Sequence, residues 1–147
     1  GTSDGTANML LGAFAGHWRI ERRIDDLRAG AEGRLSGEAW FRPVPGGLDY
    51  AETGILTLGT APPMTASRAY RWREGAGEMI EVRFQDGRFF HRFQADDPTP
   101  AAEHSCDPDR YAVRYDFRRW PEWRTEWRVV GPRKDYAMVT DYSVIAP

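Results

Sequence analysis

From His17 onward, apolar and polar residues alternate along most of the chain, and turn-forming residues interrupt the alternation about every ten positions. A period of two puts successive side chains on opposite faces of a strand, so the pattern predicts an all-β fold of about ten strands. These are His17–Asp26, Arg34–Pro43, Gly47–Leu58, Met64–Arg73, Glu78–Gln85, Arg88–Gln94, Ala101–Cys106, Arg110–Arg118, Glu122–Val130 and Asp135–Ile145. Between them lie Ala29-Gly30, Pro45-Gly46-Gly47, Pro62-Pro63, Gly75-Ala76-Gly77, Asp86-Gly87, Asp97-Pro98, Asp107-Pro108, Trp120-Pro121 and Gly131-Pro132. Only Ala7–Ala15 reads as helix, with Met9, Leu10 and Phe14 as its apolar side.

Charge tests the pairing of these strands. A hairpin centred on Trp120 sets Arg114 against Glu126 and Asp116 against Arg124 on one face. The other face then pairs Phe117 with Trp123, Tyr115 with Thr125 and Val113 with Trp127. Opposite charges outside and rings inside are what a half-buried antiparallel ladder favours. Continuing past Gly131-Pro132 brings Trp127 to Met138, Thr125 to Thr140 and Arg124 to Asp141. Asp86-Gly87 reads as a two-residue hairpin with positive φ at both positions, setting Glu81 against Arg92 outside. Inside, that hairpin pairs Phe84 with Phe89 and Val82 with His91. A slip of one residue would turn every ring to solvent. Sequential strands on short connections favour an antiparallel up-and-down barrel, because closure removes exposed edges. A barrel of this strand count has room for side chains and a small cavity.

The composition narrows the class of partner. The 147 residues suit one domain, 1–147, with 22 acids against 20 bases. That balance carries no basic excess of the kind that recruits nucleic acid. No apolar run approaches the roughly 18 residues of a membrane span. Met9–Ala15 is apolar but lacks a basic leader, so no signal peptide is read. The single Cys106 leaves no intrachain disulfide and suits a cytoplasmic setting. Six Trp, six Tyr and seven Phe supply either a core of large rings or the lining of a cavity.

Polar residues that share parity with the apolar set carry the functional question. Arg22 lies in the Trp18, Ile20, Ile24 set, and Tyr50 and Glu52 lie with Leu48 and Leu56. Arg68 lies with Ala66, Tyr70 and Trp72, His91 with Phe89 and Phe93, and His104 with Ala102 and Cys106. Buried charge needs a partner, and two arginines exceed one glutamate. The surplus charge, with Tyr50, Tyr70 or Tyr115, suits the carboxylate or phosphate of a small amphipathic ligand. Phe89, Phe93 and Trp127 would cover its apolar part. A cavity above about 300 Å³ reached by Arg68 favours this reading, and a filled interior excludes both interior binding and catalysis. Two others stay open: an architectural Arg–Glu–Arg cluster that binds nothing, and a small enzyme using His91 or His104 as acid/base with Glu52 as orienter. His91, His104 and Cys106, on strands expected to be neighbours, also admit metal or haem, but no compact ligand motif supports either, and no cofactor is assigned.

Gly16-His17-Trp18, opening the first strand after the short helix, resembles the Gly-x-Trp signature of lipocalins and related calycins. That resemblance implies that Trp18 plugs the closed end of the barrel beneath a late arginine, Arg128 or Arg133. The strand count is closer to the fatty-acid-binding-protein and nitrobindin-like branches. The former implies interior arginines and a tyrosine holding a carboxylate, roles open to Arg22, Arg68 and a tyrosine. Over nearly its whole length the chain also resembles a bacterial domain family of unknown function. The segments concerned are Arg68–Arg71, Asp86–His91, His104–Tyr111 and Gly131–Tyr136. That family implies the fold and no activity.

Overall fold

The computed structural model describes residues 10–146. Ten antiparallel strands follow one another: β1 (Gly16–Asp26), β2 (Ala31–Val44), β3 (Gly47–Leu58), β4 (Met64–Glu74), β5 (Met79–Phe84), β6 (Phe89–Gln94), β7 (Ala101–Cys106), β8 (Asp109–Asp116), β9 (Trp123–Val130) and β10 (Asp135–Val144). Each matches an expected strand, with ends shifted by three residues at most. Hydrogen bonding runs in the order β6-β5-β4-β3-β2-β1-β10-β9-β8-β7. Nine of the ten neighbouring pairs of a closed barrel are therefore bonded. The barrel is nearly closed, and its one seam lies between β6 and β7. His91 and His104 thus face each other across a seam and not, as expected, across a ladder.

The Trp120 and Gly131-Pro132 hairpins have the expected registers, from Val113↔Trp127 through Asp116↔Arg124 and from Trp127↔Met138 through Asp141↔Arg124. The Asp86-Gly87 hairpin differs. Only Gly87 has positive φ. Bonds from Gly87 N–H to Phe84 O and from Phe84 N–H to Arg88 O close a three-residue loop, not a two-residue one. Glu81↔Arg92 and Val82↔His91 hold, but Arg83 then pairs with Phe89, leaving Phe90 as an extra residue in β6. This β-bulge turns Phe90 into the core and Phe89 out to solvent, the reverse of what parity predicts beyond His91. Phe84 accordingly stacks on Phe90, with centroids 4.5 Å apart, and not on Phe89.

Within the expected helix 7–15, residues 7–9, Met9 included, lie outside the described residues. Residues 10–12 form one helical turn that puts Leu11 and Phe14 into the base of the barrel. There the Phe14 ring meets Trp72, Trp120 and Trp123 within 5.2 Å. Trp18 donates its indole N–H to Phe14 O at 2.8 Å, which fixes the plug to the first strand. Neither Arg128 nor Arg133 covers Trp18. Arg128 bonds Tyr136 O and pairs with Asp135 at the opposite end, and Arg133 is exposed at that end. Trp120 and Trp123 stand edge-on to Trp18 instead. Among the described residues no helix is long and apolar enough to cross a membrane.

Candidate functional site

Neighbouring registers bring the inward polar residues together midway along the barrel. Glu52 pairs with Arg68 on one side and with Ala39 on the other, while Arg22 pairs with Thr140. The Arg22 guanidinium donates Nη1–H to Glu52 Oε2 at 2.7 Å and Nη2–H to Oε1 at 2.9 Å, and its Nε–H reaches Thr140 Oγ1 at 2.7 Å. Tyr50 donates to Glu52 Oε1 at 2.5 Å. Its oxygen then accepts from Tyr142, 2.9 Å away. Arg22 and Glu52 are both buried. Burial alone would raise the Glu52 pKa, but the hydrogen bonds and charge of Arg22 outweigh it and hold the carboxyl below its ordinary value. Burial likewise opposes the Arg22 cation, and Glu52 overrides it, leaving Arg22 above its usual pKa. Burial raises Tyr142 to about 12, and Tyr50 well above its ordinary value, so both hydroxyls stay protonated as donors.

Arg68 behaves differently. Its Nε lies 3.7 Å from Glu52 Oε2, yet its side chain is 41% exposed against 3% for Glu52. Parity points it inward as expected, but it stands at the open end. Since Glu52 neutralises Arg22, Arg68 is the surplus cation of the cluster.

His91 is buried on β6, its Nε2 2.6 Å from the Tyr115 hydroxyl, and its Nδ1 has no partner. Burial, with a smaller push from His104, brings the His91 pKa down to about 3, so the ring is neutral at ordinary pH. Glu52 bonds Arg22 and Tyr50 and neither histidine, so the acid/base pair with Glu52 as orienter is not assembled. His104 is only half-buried, edge-on to Phe90 at 5.3 Å, and Cys106 is exposed rather than inward. Those strands approach the open end, where inward parity no longer means burial. Among the described residues no group of three His, Cys, Asp or Glu is placed to hold a metal ion.

The bulged Phe90 stands over this cluster, nearly parallel to Phe84, Tyr70 and Trp127 and edge-on to His91, His104 and Tyr111. Below it lies a cavity of about 40 Å³ lined by Arg22, Glu52, Arg68, His91, Tyr115 and Trp123, among others. That falls far short of the roughly 300 Å³ a whole ligand requires, because Phe90 and the tyrosines fill the space. A larger concavity, about 680 Å³, lies on the outer face against Trp40, Ala51, Ala69 and Arg71. It is an open surface groove, and none of Arg22, Glu52, Arg68 or His91 lines it, so it holds no part of the charged cluster. Two contributors to the smaller space carry no signal of it in the sequence. The bulge hides Phe90, and Trp123, whose ring reads as packing, keeps a buried indole N–H with no partner.

Residues 14–144 match a family described as being of unknown function, DUF6314. The chain belongs to this family. No curated protein sequence matches this DUF6314 member. Among solved structures, the S-type phycobiliprotein lyase CPES from Guillardia theta aligns with 97% of this chain and 94% of its own, at TM-score 0.67 and 9% identity. A de novo designed fluorescence-activating β-barrel aligns over 92% of this chain and 96% of its own at 14% identity, but only at TM-score 0.38. The lyase likeness establishes that the DUF6314 barrel shares a fold with it; at that identity it carries no activity.

Proposed function

We propose that this DUF6314 barrel binds a small amphipathic anion at its open end, with the head group at Arg68. The observation that carries this reading is the charge account of the cluster. Arg22 and Glu52 satisfy each other in a bidentate pair, while Arg68 is half-exposed beside a ring-lined opening with its nearest carboxylate oxygen at 3.7 Å. A desolvated anion gains most from a cation that is positioned but not consumed. The apolar body of the ligand would lie across Tyr70, Phe90 and Trp127, with Tyr50, Glu52, His91, Tyr115 and Arg22 building the floor and His104 the rim. The small cavity favours a second reading, a filled barrel that binds nothing.

Titration with anilinonaphthalene sulfonate, an aromatic amphipathic anion, separates the two. The binding reading expects saturable fluorescence enhancement that falls at least about tenfold in affinity in Arg68→Ala, a loss of roughly 1.4 kcal/mol. Unchanged affinity in a folded Arg68→Ala protein overturns the assignment. An absence of saturable binding by the wild type favours the filled barrel.

A further inference from the structure

We infer that the 40 Å³ cavity is an oxyanion pocket, built to take the carboxylate end of the ligand and to reject a neutral isostere. This inference rests on the reading of the open end as an anion site and adds which chemical group enters and which residues select it. Among the cavity's lining residues, the acceptors are largely satisfied. The Glu52 carboxylate already accepts from Arg22 and Tyr50. The Tyr50 oxygen accepts from Tyr142, while Arg22 Nε is taken up by Thr140 Oγ1, outside the lining. The donors are not so fully used. Arg22 carries five N–H groups, of which three are bonded, leaving one on each terminal nitrogen. Trp123 Nε1, which can only donate, is buried without a partner.

The His91–Tyr115 pair adds one more donor in either tautomer. If Tyr115 donates to Nε2, the ring's proton sits on the unpartnered Nδ1. If Nε2–H donates to Tyr115, the hydroxyl proton is left free to donate, but the bare Nδ1 becomes an unmet acceptor. The pair then adds one of each, and the excess of donors rests on Arg22 and Trp123. The lining therefore holds an excess of donors, in a space able to hold about one or two oxygen-sized atoms. Leaving a buried donor unmet costs its full desolvation penalty, which favours an occupant that only accepts. A carboxylate meets that demand with two oxygens and no proton, and it brings the negative charge that Arg68 lacks. An amide of the same shape would bring two N–H groups against donors. The pocket thus discriminates by donor–donor conflict as well as by charge.

Acetate and acetamide are the probes, and the readout is the Trp123 indole N–H resonance of the intact wild-type chain. Acetate at millimolar concentration is expected to shift that resonance saturably, with acetamide at least about tenfold weaker. Tyr115→Phe, read at the Trp123 resonance, and Trp123→Phe, read at the His91 ring resonances, each checked for native near-ultraviolet circular dichroism, are expected to weaken acetate binding by about the same factor. Should either variant fail to fold, the wild-type resonance alone decides. A Trp123 resonance unmoved by acetate means the cavity holds water only, and one moved equally by acetamide means it does not select an anion; either result overturns the inference. Failure of the two readings is separable. Arg68→Ala that retains naphthalene sulfonate binding removes the head-group assignment at the open end, whereas an unmoved Trp123 resonance removes the pocket beneath it.

Discussion

Burial holds the His91 ring neutral with a pKa near 3, whereas in the unfolded chain an imidazole protonates near 6.5. Between those values the unfolded chain binds a proton that the folded chain refuses. Stability is therefore complete above about pH 6.5 and falls as the pH drops through that window, by up to about 1.4 kcal/mol per unit. Urea titrations at about pH 7, 6 and 5 should show this decline in the wild type, and His91→Phe should flatten it while lowering stability at pH 7, where the Tyr115 hydroxyl is left unpaired, so that the two proteins converge as the pH falls. An equal slope in both proteins would place the titrating group elsewhere. Parity makes Arg22, Glu52 and His91 legible as inward residues, because a charge among apolar neighbours stands out in a strand. It does not reveal that Glu52 is claimed by Arg22 and Tyr50, since bond partners depend on which strands adjoin. It also passes over Trp123, whose ring reads as apolar while its N–H does not.

At the scale of one strand, β6 shows how a single extra residue redirects chemistry. The chain places Phe89, Phe90 and His91 in sequence, and regular alternation would bury the first and third. The bulge buries the second and third instead, putting a ring over the polar cluster. Phe90→Ala is expected to cost about 3–5 kcal/mol, the usual range for a buried phenyl. Phe89→Ala should cost less than about 1 kcal/mol, its main contacts being the guanidinium groups of Arg83 and Arg92 near 6 Å. Denaturation midpoints of the two variants check this, and a larger loss for Phe89→Ala would mean that the strand runs in unbroken alternation. Hairpins whose charges pair on one face and rings on the other are legible from the sequence alone. The bulge is not, because no glycine or proline marks Phe90 and either parity leaves a phenylalanine to bury.

At the scale of the molecule, the sheet begins at β6 and ends at β7, strands that are consecutive in the chain. Side chains hold that seam where hydrogen bonds hold the others: His91 on β6 reaches Tyr115 on β8, and Phe93 stacks on Tyr115 at 4.3 Å. Amides along 89–94 and 101–106 should therefore exchange with deuterium sooner than those of 16–26 and 135–144. The opposite order would show the seam to be bonded in solution. The alternating pattern implies a barrel, and its meander order is what the structure shows. Incomplete closure is not legible, since each strand looks alike whether its neighbour is bonded or merely adjacent.

The position of the seam bears on how the barrel could be put together. A cut in the 95–100 connection would remove no rung of the ladder. It would leave a six-stranded piece, β1–β6, and a four-stranded piece, β7–β10, each with its strands contiguous. Nine paired positions between β1 and β10 would rejoin them. The larger fragment would carry Arg22, Tyr50, Glu52, Arg68 and His91, and the smaller Tyr115, Trp123, Thr140 and Tyr142. Neither fragment alone has the whole polar cluster, so the bonds that cross the cut, Arg22 to Thr140, Tyr50 to Tyr142 and His91 to Tyr115, would report on complementation of one half by the other.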